Sequence, residues 1–201
     1  MGIKYFDERA YVLGVISDAN GDRENFGDIA EGDFFKAVEL GYKIFPLTER
    51  AGYSKLTLTH TDGTSDGIPS NVSLGPKGWS IAGKYEQELS SDGRAIGILK
   101  YGKTFNGSAV FEQLASAHFL MNDPEIPIAR RLKNDALGVG IVWADAAIPN
   151  TRDETAVEVF YRFPLLQDLD VTLSYQSFFN PARNPGVDQA SVFSIRWRTT
   201  F

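Results

Sequence analysis

The residues able to do chemistry recur two and four positions apart and are not gathered into a catalytic constellation. Glu154, Glu158 and Arg162 step by four, as do Glu39 and Lys43; Lys84, Glu86 and Glu88 step by two, as do Arg196 and Arg198. On an extended strand, even spacing places such groups on one face. Rows of mixed sign suit weak, repeated hydrogen bonding, or an ion-pair ladder that merely solvates a wall; both readings stand. Nothing suggests bond-breaking chemistry. No dinucleotide fingerprint occurs, and no cysteine is available as nucleophile, thiolate ligand or disulfide.

Metal sites fare no better. His60 and His118 are far apart, lack metal-type spacing, and read as rim or wall residues. The run Asp18-Ala-Asn20-Gly21-Asp22-Arg-Glu24 offers alternating oxygens, but glycine sits fourth and no glutamate sits twelfth. It reads as an acidic surface loop, not a calcium loop. Asn71-Val-Ser73 and Asn106-Gly-Ser108 are sequons, which carry no meaning if the chain is bacterial.

The elements that must position these rows are strands. In the last segment Phe193, Ile195, Trp197, Thr199 and Phe201 share one parity, and Ser194, Arg196, Arg198 and Thr200 the other. Upstream, Val157, Val159, Tyr161 and Phe163 alternate with Glu154, Ala156, Glu158, Phe160 and Arg162; Leu169, Val171, Leu173 and Tyr175 alternate with Asp168, Asp170, Thr172, Ser174 and Gln176. Charges deep in one parity and large aromatics in the other mark a barrel with lipid outside and water inside. The expected strands are Arg9–Ser17, Phe34–Phe45, Tyr53–Thr61, Gly78–Leu89, Arg94–Lys103, Ala109–Met121, Ala136–Ala144, Glu154–Phe163, Leu169–Phe178 and Ala190–Phe201. Each is close to the ~9–11 residues a tilted strand needs to cross a bilayer. Val38, Leu40, Tyr42 and Ile44 oppose Glu39 and Lys43 cleanly, whereas Arg94–Lys103 does not reveal its face. Ala109–Met121 also scores as an amphipathic helix.

Connections alternate in size. Asp18–Asp33, Asp62–Lys77, Asp145–Asp153 and Phe179–Gln189 are long and polar; Ser90–Gly93 and Pro164–Asp168 are short. With the final residue at a periplasmic rim, the long ones fall outside, as in outer-membrane barrels. Asn122–Asp135 and Thr104–Ser108 depart from that alternation. Trp79, Trp143 and Trp197 share the apolar parity and read as a lipid-facing belt, with stacking on a solute the other option.

Length and composition set the bounds. The 201 residues suffice for one domain, and a net charge of −6 argues against a nucleic-acid partner. No run approaches the ~18 apolar residues of a spanning helix, a test that spanning strands escape. The start MGIKYFDERAY lacks a secretory n-region and h-region, so the chain is expected to be a mature piece or a fragment.

The residues also carry a resemblance. The segments YVLGVISDANGD, AVELGY, NDALGVGIVWA and DETAVEVFYRF, then a last strand ending on Phe201, resemble the carbohydrate-selective OprB-type porins. Asp135–Gly140 (DALGVG), Glu154–Phe163 and the passage YQSFFNPARNP are the most specific pieces. The likeness runs from Tyr11 to Phe201 and covers only the C-terminal part of such porins, which close about sixteen strands. It implies an all-β, antiparallel transmembrane β-barrel, with residues 1–201 as a single C-terminal barrel portion of about ten strands in a bacterial outer membrane. It further implies passive, carbohydrate-selective diffusion, with sugars as permeating solutes, membrane lipid around the wall, no cofactor, no metal and no catalysis. The missing N-terminal part or other copies of the chain would complete the wall. Glu39, Lys43, Lys84, Glu86, Glu154, Glu158, Arg162, Arg196 and Arg198 are the expected pore lining. A small outer-membrane barrel enzyme and a soluble carbohydrate-binding β-sandwich are the other classes considered.

Overall fold

A computed structural model of the chain describes residues 2–6, 9–18, 34–44, 50, 52–62, 77–105, 111–124, 134–146, 152–182, 184 and 186–199. It is a single antiparallel sheet in which every strand pairs with its sequence neighbours: β1 (Gly2–Tyr5), β2 (Ala10–Asp18), β3 (Phe34–Ile44), β4 (Gly52–Thr61), β5 (Gly78–Glu88), β6 (Ala95–Phe105), β7 (Phe111–Asn122), β8 (Ala136–Ala146), β9 (Glu154–Leu166), β10 (Leu169–Phe179) and β11 (Gln189–Thr199). The ten expected strands are all present, and the short β1 makes eleven. The helical alternative for the seventh is excluded: Phe111–Asn122 runs in register between β6 and β8. Among the described residues β1 and β11 are the two edges, and the sheet is not closed.

Strands beyond β1 run 9 to 13 residues, well past the usual ~5–6 of soluble sheets. What sets their length is the absence of an interior. Among the described residues the buried apolar ones are Ala95, Ala136, Ala144 and Ala182, and no large side chain is fully buried. The chain exposes 13492 Å², against about 9,400 Å² for a compact monomer of this mass. A sandwich would have hidden one face of each sheet. Here the apolar face is left uncovered.

Cross-strand partners share a face, so register carries the two chemistries across the sheet. One row of the apolar face reads Leu40, Leu56, Gly83, Tyr101, Ala115 and Trp143; another reads Val159, Tyr175 and Phe193. Phe193 is 82% and Trp197 72% exposed on the edge strand, and Trp79 is 56% exposed. All three tryptophans lie on this face. Register also settles the sixth strand: Leu99 and Tyr101 join the apolar side, and Ile98 and Lys100 the opposite one.

The tight connections are built from local hydrogen bonds. In β5–β6, Ser90 Oγ donates to Asp92 Oδ1 at 2.5 Å, Arg94 Nε donates to Asp92 Oδ2 at 2.5 Å, and Gly93 takes φ +74°. That left-handed backbone costs glycine least, because it has no Cβ. In β9–β10 only Gln167 and Asp168 intervene. The acidic run after Asp18, the two sequons and most of the long connections lie outside the described residues.

Candidate lumenal face

All nine expected lining residues fall on the polar face, because the cross-strand register gives them a common parity, its shifts lying at strand ends by Leu169/Asp170 and Phe111/Gln113. Three levels matter. On the first, Lys55, Lys84, Lys100, Ser116, Val142, Ala156 and Phe178 are successive cross-strand neighbours. Three adjacent ammoniums repel one another, and the strands supply carboxylates beside them. Lys55 Nζ lies 3.5 Å from Glu39 Oε1, and Lys84 Nζ lies 2.6 Å from Glu86 Oε2.

Glu39 and Lys43 do not pair as an isolated strand would suggest. Four residues of strand separate their backbones by about 13 Å. Glu39 instead accepts from Tyr11 Oη at 2.5 Å and from Thr57 Oγ1 at 3.3 Å, on the two neighbouring strands. The Lys43 ammonium stands 5.8 Å above the Tyr53 ring.

The second level runs Ile98, His118, Gly140, Glu158 and Gln176. Gln176 Nε2 donates to Glu158 Oε1 at 3.0 Å, and His118 Nε2 lies 2.9 Å from Ser116 Oγ. Glu154 accepts the Ala182 backbone N–H at 2.9 Å, which ties the connection after β10 to β9. A hollow of about 440 Å³ opens here between Lys100, His118, Glu158, Gln176, Phe160 and Phe178. The third level runs Leu120, Gly138, Phe160, Ser174 and Ser194, and below it come Ala136, Arg162, Thr172 and Arg196. Arg198 stands directly opposite Asp170.

Three wet-face glycines explain how aromatic rings fit a polar wall. Tyr11, Phe160 and His118 lie directly across from Gly41, Gly138 and Gly140. A Cβ on Gly41 or Gly138 would overlap the ring carbons of Tyr11 or Phe160, and one on Gly140 would lie 2.6 Å from His118 Nδ1. Each ring lies flat over a glycine of the next strand, a device that restores packing the glycine lacks. Sequence reading placed Phe160 on the polar parity without assigning it a role. The same holds of Gln176, while Phe178, Lys100 and Lys55 were overlooked. The available signal was glycine at 41, 138 and 140 recurring on the wet parity beside a partner strand carrying an aromatic there.

His60 is elsewhere: it packs against Trp79 with ring centroids 4.2 Å apart and Nδ1 3.4 Å from Asp62, at the far end of β4. Among the described residues no group of histidines and carboxylates could hold a metal ion.

Residues 126–201 match the family model described as carbohydrate-selective porin, OprB family. That span includes DALGVG, β9 and the final strands but not the earlier segments YVLGVISDANGD and AVELGY. A solved structure of OprB from Pseudomonas putida, determined at high pH, superposes with a TM-score of 0.75 at 12% identity, over 99% of this chain and 57% of that one. At that identity the likeness speaks for the fold. No curated protein matches. The chain thus spans little more than half the length of the porin it superposes on. Its resemblance to the OprB family of carbohydrate-selective porins rests on sequence over residues 126–201 and on fold over nearly the whole chain.

Proposed function

We propose that this chain forms the C-terminal wall of a bacterial outer-membrane porin that lets sugars diffuse passively through a water-filled β-barrel. The observation that carries the reading is the split of one continuous sheet into an apolar belt and a polar face holding charges at mid-strand. The apolar belt meets lipid; the polar face meets the permeating solute. Carboxylates, guanidiniums and amides spaced along it, with rings of Phe160 and Phe178 among them, give several weak stations for a hydroxyl-rich molecule. Passage requires binding of that kind, strong enough to enter and weak enough to leave. The nine lining residues are the wall of this path, with Glu158 one charged level and Arg162 and Arg196 another below it.

Eleven antiparallel strands leave β1 and β11 running in the same direction. Antiparallel closure therefore takes an odd number of further strands, and five would give the about sixteen of such porins. An open edge in lipid costs several kcal/mol per unpaired backbone group. The remaining strands or other copies of this chain are the partners that would cover it.

The test is reconstitution. Detergent-folded protein should run with heat-modifiable gel mobility and make liposomes swell in iso-osmotic glucose. Free solubility without detergent, with unchanged mobility on boiling, contradicts the membrane reading. In planar bilayers, charge reversal by E158R or R196E should change sugar flux or ion selectivity; no change in either removes those residues from the path.

A further inference from the structure

Below the Glu158 level, between β9, β10 and β11, the polar face holds a second hollow of about 300 Å³. Ser174 Oγ lies 2.6 Å from Ser194 Oγ on its floor, Phe160 forms one side, and Glu158 and Gln176 close its upper edge. Its lower edge is two guanidiniums. Arg162 and Arg196 are both in register with Thr172, so they stand on one level, two strands apart, with backbones about 10 Å from each other. Their arms are long enough to converge on one group above Thr172.

Among the described residues both are without a counter-ion. Elsewhere on the sheet Lys36, Lys55, Lys84, Arg94 and Arg152 each meet a carboxylate. Among the described residues neither Arg162 nor Arg196 has an ion pair or a side-chain hydrogen bond, although the chain carries a net charge of −6. One acid, Glu158, lines this hollow, and Asp170 lies just beyond it. Glu158 is about 13 Å up the strand from Arg162 and is already held by Gln176. Asp170 lies one step further down the face, opposite Arg198.

We propose that Arg162 and Arg196 form a carboxylate station, so that this wall favours monosaccharides bearing an acid group over neutral ones. The inference rests on the sugar-porin reading and narrows it to which sugars are preferred. The planar guanidinium fork accepts a carboxylate bidentately and holds it with charge-assisted hydrogen bonds. The rest of the hollow argues for a sugar attached to that carboxylate. An inorganic anion would use the two arginines and leave idle the Phe160 ring, the paired serines and the Gln176 amide. A sugar acid sets its ring on Phe160, its hydroxyls against Ser174, Ser194 and the Glu158–Gln176 pair, and its carboxylate between the arginines.

The experiment is calorimetric or saturation-transfer titration of the detergent-folded chain with glucuronate and with glucose, at one ionic strength. Glucuronate is expected to bind about tenfold tighter, an excess that shrinks with added salt. In R162Q/R196Q the two sugars should bind alike. Should the glutamine pair fail to fold, R162K/R196K keeps the charge, loses the fork and should lose part of the preference; full retention overturns the bidentate station. Equal affinity for the two sugars in the unaltered chain, or a preference that survives R162Q/R196Q, overturns the proposal while leaving the porin reading intact. Sulfate displacing glucuronate as effectively as gluconate does also overturns it, because any anion would then serve. Binding of neither sugar defeats the porin reading itself.

Discussion

Gly138→Ala is the sharpest structural perturbation of the lumenal face. The added methyl would overlap Cε1 and Cζ of Phe160, across the β8–β9 pair. Carbon atoms in ordinary contact sit about 3.5–4.0 Å apart, so the ring must swing by more than about 1 Å. The clash is with the far end of a side chain, and the ring can move into the open hollow. The strain is therefore in the range of overpacking, about 1–3 kcal/mol. Alanine gives back about 0.4–1 kcal/mol through the unfolded chain. The net loss is about 0.5–2 kcal/mol, or roughly a 2- to 30-fold shift in the folding equilibrium. The assay is a double-mutant cycle on reversible urea unfolding in lipid vesicles, using G138A, F160A and G138A/F160A. Without the ring, G138A should cost nothing or stabilise slightly, so the cycle should show coupling of the size just given. G138A should also weaken sugar binding, because it displaces a ring that lines the hollow. A fully additive cycle would refute the seating of Phe160 on Gly138.

The remaining predictions concern single contacts. Tyr161→Phe removes the hydroxyl that donates to Asp135, a carboxylate only 2% exposed, and should destabilise the sheet by about 1–3 kcal/mol on the same urea assay. Asp135→Asn should cost less, since the amide oxygen still accepts. Asp92 in the β5–β6 turn is held well below the usual carboxylate range, first by the Ser90 hydroxyl and then by the Arg94 guanidinium and backbone N–H. A depressed value means the stabilisation is full above about pH 3.9 and is lost as pH falls through the folded value. Hydrogen exchange at the Ala95 amide, which donates to Ser90 Oγ, should therefore stay unchanged from pH 7 to pH 5, after correction for the intrinsic rate. Loss of protection within that window would contradict the assignment. Ser90→Ala should raise the carboxyl's titration point, read by NMR.

Most of the fold was legible because spanning strands must alternate over their whole length, and every interior charge marks the parity on which it sits. Glu154, Glu158, Arg162, Arg196 and Arg198 needed no partner strand to be placed on one face. The sixth strand resisted because Ile96, Ile98, Leu99 and Tyr101 put large apolar groups on both parities, and only pairing with β5 and β7 orients them. β1 was missed because four residues give too short a pattern. Which charges pair was not legible at all. Glu39 takes Tyr11 and Lys55 from strands 28 and 16 residues away in sequence, contacts that register decides and composition does not. Phe160 and Phe178 went unassigned for a related reason. A ring on the wet parity looks misplaced until the facing glycine or the hollow it lines is known.

The central claim is that one face of this sheet meets lipid and the other meets water. The chain contains no cysteine, so spin labels can be placed singly without background. Labels at Thr172→Cys, Leu173→Cys, Ser174→Cys, Tyr175→Cys and Gln176→Cys in vesicle-folded protein report oxygen and nickel-chelate accessibility along β10. The expected result is a two-residue period, with high oxygen access at 173 and 175 and high chelate access at 172, 174 and 176. The opposite phase, or uniform chelate access at all five, would contradict it.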